Sequence, residues 1–366
     1  MKKPRLLRRK KNRASKIGLP PGSLVYVGNV EEKSLEKPKI SKIVYDTQAL
    51  VEREMTPEDL ANFMPDDTKK TWLNVHGVHD ATLIKQIGEL FHLHPLVLED
   101  ILNTEQRPKI DEFDDYIFLE TRLFYYHAET MSTSSEQISL VLGRNFILTF
   151  QERSTGAFEA IRERLRATRA PIRELGVDYL AYALLDSVVD RYFSVLEEIG
   201  EASEALEEAL LQNPTNSDLH SIHQLKHSSI ELRRAVWPLR EVINGLARNE
   251  NGFFTLATMP YLRDVYDHTV NFIESLESIR DSLSGMMDIY MASVSNRVNL
   301  EVRALTVVAM LFMPATLISG IFGMNFETMP WLKDHNGFWW AIGLMAAIAS
   351  IMILIFWRRQ WLSSKT

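Results

Sequence analysis

The sequence contains no cysteine, which removes disulfides, thiolate metal ligands and cysteine nucleophiles in one step. Proline is absent from Tyr261 to Met313, and Gly285 is the only glycine there, so 53 residues pass without a helix breaker. Charge is absent from two further stretches, Ala304 to Phe326 and Asn336 to Trp357. Each exceeds the roughly 20 residues needed to cross a hydrocarbon core. Acid is absent from Met1 to Lys16, a basic arm with nine Lys and Arg. That arm also lacks the apolar segment of a cleaved signal. No Walker A loop, nucleophile–base pattern or zinc-protease helix is present, which argues against ATP-driven pumping and against an enzyme.

What is present is an acidic body. The net charge of -7 conceals a remainder with 32 basic residues against 48 acidic ones once the arm is set aside. Beside a membrane segment, that balance suggests cation handling more than nucleic-acid binding. The arm itself either touches anionic headgroups or is a solvated tail. The unbroken stretch from Tyr261 predicts one helix of roughly 80 Å. Phe272, Leu276, Ile279, Leu283, Met286, Tyr290 and Val294 recur on it at spacings of three and four, a seam for packing against other helices. The helix is expected to run into the first uncharged stretch and to break at Gly320 and Gly323. A loop with Glu327, Lys333 and Asp334 is short enough to force a hairpin with the second stretch. Arg297, Arg303, Arg358, Arg359 and Lys365 flank the outer ends, so the positive-inside rule places both termini and the bulk of the chain in the cytoplasm of a cell (inner) membrane protein.

The organisation predicted along the chain is a basic arm (1–18), an α/β domain (19–155), and a helical region with acidic antiparallel helices (156–258). A stalk helix (259–303), a first span (304–325), an external loop (326–335), a second span (336–357) and a tail (358–366) follow. In the α/β part, strands are expected at Leu24 to Val27, Ile40 to Tyr45, Thr71 to Val75, Tyr116 to Tyr126, Gln137 to Leu142 and Phe146 to Phe150. Helices are expected at Thr56 to Met64, Ala81 to Leu93 and Pro95 to Leu102, and a hairpin turn at Gly143-Arg144-Asn145. Beyond it, Asp178 to Leu211 and Ser217 to Ala247 read as an antiparallel helix pair, the second bent at Pro238. Glu197, Glu198, Glu201, Glu204, Glu207 and Glu208 stack like charges without a base, which reads either as a solvated face or as a surface that concentrates divalent cations.

Gly323-Met324-Asn325, following Pro314 and followed by Phe326-Glu327-Thr328-Met329-Pro330, resembles the CorA family of magnesium and cobalt transporters. His94-Pro95-Leu96-Val97-Leu98-Glu99-Asp100, Gln106-Arg107-Pro108-Lys109, Trp237-Pro238-Leu239-Arg240-Glu241, Arg263-Asp264-Val265-Tyr266-Asp267-His268 and Ser293-Val294-Ser295-Asn296 resemble further family segments in the same order. The resemblance runs from about residue 20 to the C-terminus. It implies a funnel-shaped homopentamer, an α/β cytoplasmic domain followed by long helices and a C-terminal two-helix transmembrane hairpin. Five copies of the long helix would line a channel for divalent cations, mainly Mg²⁺ and also Co²⁺.

On that helix Asn299, Val302, Thr306, Ala309, Met313, Thr316 and Gly320 share one face, mixing hydroxyls, an amide and small residues. An ordinary membrane helix seam would have a similar composition. Val302 and Leu305 match the family's apolar constriction. Pro314 lacks an N–H and so frees the Met310 carbonyl, as is tolerated beside a wet cavity. Gly323, Met324 and Asn325 would form the selectivity filter, a ring of neutral oxygens reading Mg²⁺ through its water shell. Glu327 would supply negative charge in the external loop. The membrane potential supplies about 4.6 kcal/mol per 100 mV for a divalent ion, enough for passive uptake.

The resemblance also implies regulatory Mg²⁺ bound between subunits and holding the pore shut, at Asp100 and Asp264 with Glu99 beside them. Asp288 would form a further inner ring. The sequence departs from the family at Phe322, where tyrosine is usual, at Trp331, where glutamate is common, and in a thinned basic cluster after the second span. His220, His223 and His227 share a helix face at zinc-like spacing, and His92 with His94 form a second possible pair. Both sets read more simply as a solvated face and as packing beside Pro95. The implied ligands are Mg²⁺, transported and regulatory, with no organic cofactor; the implied partners are copies of the chain, divalent cations and lipid, with no nucleic acid. A Zn²⁺, Co²⁺ or Ni²⁺ carrier of the same superfamily, or a membrane-tethered cation-sensing scaffold without a pore, are the alternatives.

Overall fold

A computed structural model describes residues 16, 18–28, 37–61, 63, 68–167, 170–248, 252–324, 330, 331, 335–359 and 361. They fall into two compact units, residues 1–209 with 216–285, and residues 210–215 with 286–366.

The first unit is built on seven strands: β1 (Lys39–Tyr45), β2 (Leu50–Met55), β3 (Lys70–His76), β4 (Lys109–Glu112), β5 (Tyr116–His127), β6 (Ser132–Gly143) and β7 (Phe146–Gln151). Their order in the sheet is β2-β1-β3-β7-β6-β5-β4. Only β3 and β7 run parallel, in register from Thr71 opposite Phe146 to His76 opposite Gln151; every other pair is antiparallel. The central strands read as apolar runs because both their faces are covered. Leu73, Val75, Val141, Leu148 and Phe150 join the core beneath α1 (Pro57–Ala61), α2 (Ala81–Leu90) and α3 (Pro95–Ile101). Trp72, fully buried, instead sets its ring edge-on to Phe158, at the start of α4 (Glu159–Arg166).

Local chemistry starts these helices where the chain permits. Asp80 caps α2 by accepting from the Thr82 and Leu83 N–H groups at 3.0 and 3.1 Å. His94 caps α3 through Nδ1, which accepts from Leu96 N–H at 3.2 Å, and Pro95 takes the first helical position. That cap, and the stacking of the His94 ring on Phe113, give His94 a structural role. After α5 (Pro171–Glu174) come α6 (Val177–Gln212) and α7 (Asn216–Arg248), and α7 continues through Pro238. The expected strand at Leu24 to Val27 does not form. Val27 makes only an isolated bridge to Asn103, because no neighbouring strand offers the rest of the run a ladder.

α8 (Met259–Phe322) is a single helix of 64 residues that passes through both units. It does not break at Gly320, as the sequence reading expected; it ends at Phe322, where Gly323 N–H still donates to the Ser319 carbonyl at 2.9 Å. Glycine lowers helix propensity without forbidding it, and an uninterrupted hydrogen-bond ladder carries the turn. In the first unit Asp178 fixes the approach to α8. Its Oδ2 accepts from Thr255 N–H, Thr255 Oγ1 and Thr258 Oγ1 at 2.9, 2.8 and 2.7 Å, and it is almost fully buried. The apolar seam of α8 packs largely as its spacing predicts: Phe272, Leu276, Leu283, Met286 and Tyr290 are buried, Ile279 is half-buried and Val294 lies open.

In the second unit the remainder of α8 and α9 (Gly337–Arg358) are both long and apolar enough to cross a membrane. In each, only 6% of the most hydropathic window is buried. A soluble core helix would have that surface covered, whereas both of these helices leave their apolar sides open. Arg297 is tied to the tip between α6 and α7, donating to Asn213 Oδ1 at 3.3 Å and the Pro214 carbonyl at 3.2 Å.

Candidate functional site

The first candidate site is one face of α8 in the second unit. Ala309, Phe312, Met313, Thr316, Leu317, Gly320, Ile321 and Met324 line a single open groove. Asn299, Val302 and Leu305 continue along the helix and are exposed, while Thr306 is half-buried. The hydroxyls are oriented by the helix itself. Thr306 Oγ1 donates to the Val302 carbonyl at 2.8 Å and Thr316 Oγ1 to the Phe312 carbonyl at 2.9 Å. With each hydrogen spent on the preceding turn, what the oxygen offers outward is lone pairs, which suit a hydrated cation. Pro314 lies inside the helix, leaving the Met310 carbonyl without its usual donor. Beyond Phe322 the Met324 N–H donates to the Ile321 carbonyl at 3.2 Å. Asn325 and Glu327 lie outside the described residues.

The second candidate site is carboxylate chemistry in the first unit. Glu99 and Asp100 sit at the end of α3, and each has a lysine on it. Lys16 Nζ lies 2.8 Å from Glu99 Oε1, and Gly22 N–H donates to Glu99 Oε2 at 2.5 Å. Burial works to raise the Glu99 pKa, but these two contacts outweigh it and hold the carboxyl below its ordinary value. Lys109 Nζ donates to Asp100 Oδ2 at 2.6 Å and to Asp111 Oδ2 at 2.6 Å, while Gln106 Nε2 donates to Asp100 Oδ1 at 2.7 Å. Burial lowers the Lys109 pKa, yet the two hydrogen-bonded carboxylates prevail and raise it.

Behind this pair Glu120 is buried, with Oε1 accepting from Gln137 Nε2 at 3.1 Å and Oε2 without a partner. Burial first, then the charge of Asp100, pushes its pKa up to about 8. The folded-state value therefore lies above the ordinary 4.5, so the fold favours the protonated form. The stability contributed by that proton is full below about pH 4.5 and is lost as pH rises toward 8. Glu120→Gln keeps a neutral hydrogen-bonding group there. The fall in thermal midpoint between pH 5 and pH 8 should therefore be smaller in the variant than in the parent; equal falls would show that Glu120 does not titrate in this window.

Asp264 lies on α8, exposed, with Oδ2 3.8 Å from His268 Nε2. His268 in turn belongs to a group the sequence reading missed. One ligand atom each from Asp186, Asp190 and His268 lie within 4.8 Å of one another. Burial, then the neighbouring Asp190 charge, raises the Asp186 pKa. Two carboxylates and an imidazole this close are a donor set that fits a divalent cation. Asp186 and Asp190 stand one turn apart on α6, so a stacked like-charge pair was visible in the sequence; the histidine, 78 residues later, was not. Asp288 is exposed on the part of α8 in the second unit.

The remaining histidine candidates have plainer surroundings. His220 Nε2 meets Gln224 Nε2 at 3.3 Å, and His227 Nδ1 lies 3.8 Å from Glu231 Oε1. His220, His223 and His227 are not brought together with a carboxylate into a ligand group among the described residues.

Comparison with known proteins places this architecture. The profile of a family described as "CorA-like Mg2+ transporter protein" matches residues 67–359. The chain is 42% identical over 354 residues to the cobalt/magnesium transport protein CorA of Thermotoga maritima, covering 96% of this chain and 99% of that one. Among solved structures it is similar to the complete CorA magnesium transporter of Methanocaldococcus jannaschii, with TM-score 0.75 and 23% identity over 87% of this chain and 98% of that one. It is also similar to full-length CmaX, with TM-score 0.70 and 20% identity over 89% and 99% of the two chains.

Proposed function

Because the chain belongs to the CorA-like Mg²⁺ transporter family, we propose that it is a membrane channel for Mg²⁺, and also Co²⁺, working by passive uptake down the membrane potential. The observation that carries the reading is α8, one 64-residue helix that begins in the packed, acidic unit and ends in an uncharged, uncovered stretch. Five copies, packed with their Thr306 and Thr316 faces inward, would enclose a pathway lined by hydroxyl lone pairs and small residues. Val302 and Leu305 would make its apolar constriction, able to close by dewetting.

Selectivity would reside in Gly323, Met324 and Asn325. Mg²⁺ sheds water reluctantly, so neutral oxygens that hold its hydration shell pass it faster than ligands that strip it. Glu327 in the external loop would raise the local cation concentration. On the cytoplasmic side Asp100, Asp264 and Glu99 would take Mg²⁺ between subunits, with Asp288 as a lower ring. Asp186, Asp190 and His268, adjoining Asp264, are a donor set of the same kind and extend that sensing region. A bridging cation converts carboxylate repulsion into a clamp, so a replete cell closes its own channel.

The test is flux in sealed proteoliposomes holding a Mg²⁺-sensitive dye. An inside-negative potential should accelerate Mg²⁺ entry, and Mg²⁺ on the side of the soluble unit should slow it. Absence of flux in vesicles shown to contain assembled protein would replace the channel with a cation-sensing scaffold.

A further inference from the structure

Asp100 is not an open carboxylate waiting for a metal. Both of its oxygens are engaged, one by Gln106 and one by the Lys109 ammonium, which at the same time sits 2.6 Å from Asp111. A single positive nitrogen bridging two carboxylates does for them what a bound divalent cation would do. Its place is enforced from several sides. Lys109 opens β4 and faces Glu120 across the β4–β5 ladder; its Nζ also stands 5.5 Å from the Phe118 ring centre. From below, Gln137 ties buried Glu120 to the Asp100 carbonyl, which accepts from its Nε2 at 3.1 Å. The pattern recurs next door, where Lys16 sits on Glu99.

We propose that Lys109 is a tethered competitor for the sensing cation at Asp100, setting the Mg²⁺ concentration at which the cytoplasmic unit responds. The proposal rests on the reading that Asp100 faces regulatory Mg²⁺. A tethered group competes at a fixed local concentration however dilute the protein. A divalent ion must therefore displace the ammonium or share the carboxylate with it, and either route weakens its apparent affinity. Lys109 acts here as a positioning and tuning residue; it touches the carboxylate rather than the metal.

The experiment measures binding rather than transport. Full-length protein in detergent is digested with chymotrypsin, whose cleavage sites do not include lysine, across a Mg²⁺ series, and the concentration giving half-protection is read. Lys109→Gln, which removes the charge without adding a chymotrypsin site, should lower that concentration about tenfold, the scale of removing one close like charge from a partly exposed site. Lys109→Arg, which keeps the charge, should stay within about twofold of the parent. Asp100→Asn should raise the half-protecting concentration. If Lys109→Gln fails to assemble on size exclusion, Lys109→Ser, with a hydroxyl donor and no charge, takes its place. Half-protection unchanged or raised in the lysine variant, with Asp100→Asn still raising it, overturns the competition and leaves the Asp100 reading standing. No change in Asp100→Asn overturns the reading beneath it.

Discussion

Asn325→Ala should reduce Mg²⁺ flux in proteoliposomes by about a hundredfold or more while leaving the assembly intact on size exclusion. The magnitude follows from multiplicity. One hydrogen bond to a charged species contributes roughly 1.5–3 kcal/mol, and a contact relayed by water falls somewhat below that. The proposed ring of amides would lose one such contact per subunit with a single substitution, and about 2.7 kcal/mol in total already corresponds to a hundredfold. Alanine fills less space, so the mouth becomes wider rather than blocked; lost flux then reports lost recognition. The neighbouring backbone is held independently, since Gly323 and Met324 N–H groups donate to the Ser319 and Ile321 carbonyls. Flux equal to that of the parent would mean that the amide does not meet the ion, and the filter would have to be sought elsewhere on α8.

The long elements were legible in the sequence because their signals are local. The spacing of Phe272, Leu276 and Leu283, with no proline between them, could describe little but a helix with one buried side, and these residues are buried. β2 and β4 were missed. Their sequences, Leu-Val-Glu-Arg-Glu-Met and Lys-Ile-Asp-Glu, carry charge through the run. Both lie at the edges of the sheet, where half the surface is wet and strand identity comes from a partner's hydrogen bonds. Leu24 to Val27 failed in the opposite direction, its apolar residues being covered without a ladder. As for the proposed sites, the carboxylates Asp100 and Asp264 stand out only through family resemblance, since an isolated aspartate carries no local signature. The charges that surround them were invisible for a related reason. Lys109 reaches Asp100 through a turn, Lys16 reaches Glu99 across 83 positions, and His268 meets Asp186 only when α6 and α8 are packed. Sequence spacing encodes neighbours along one element, whereas electrostatic partners are set by tertiary contact.

Asp264→Lys should leave the channel conducting at cytoplasmic Mg²⁺ concentrations that close the parent, with the half-inhibitory concentration raised about tenfold or more in patch recordings. The substitution replaces a carboxylate by an ammonium one helical turn from His268, which is itself grouped with Asp186 and Asp190. The local charge changes by two units. Because Asp264 is exposed, with 62% of its side chain open, solvent screens much of the Coulomb energy, and about 1.4 kcal/mol per site is a conservative share. That share alone is tenfold. If closure is concerted, the loss is repeated at every interface and the closed state forfeits the sum, so the response should disappear over an ordinary Mg²⁺ range rather than merely shift. Asp264→Asn, which removes one charge and adds none, should fall between the lysine variant and the parent. Inhibition that is identical in all three would separate Asp264 from sensing and transfer the role to Asp186, Asp190 and His268, whose geometry does not require it.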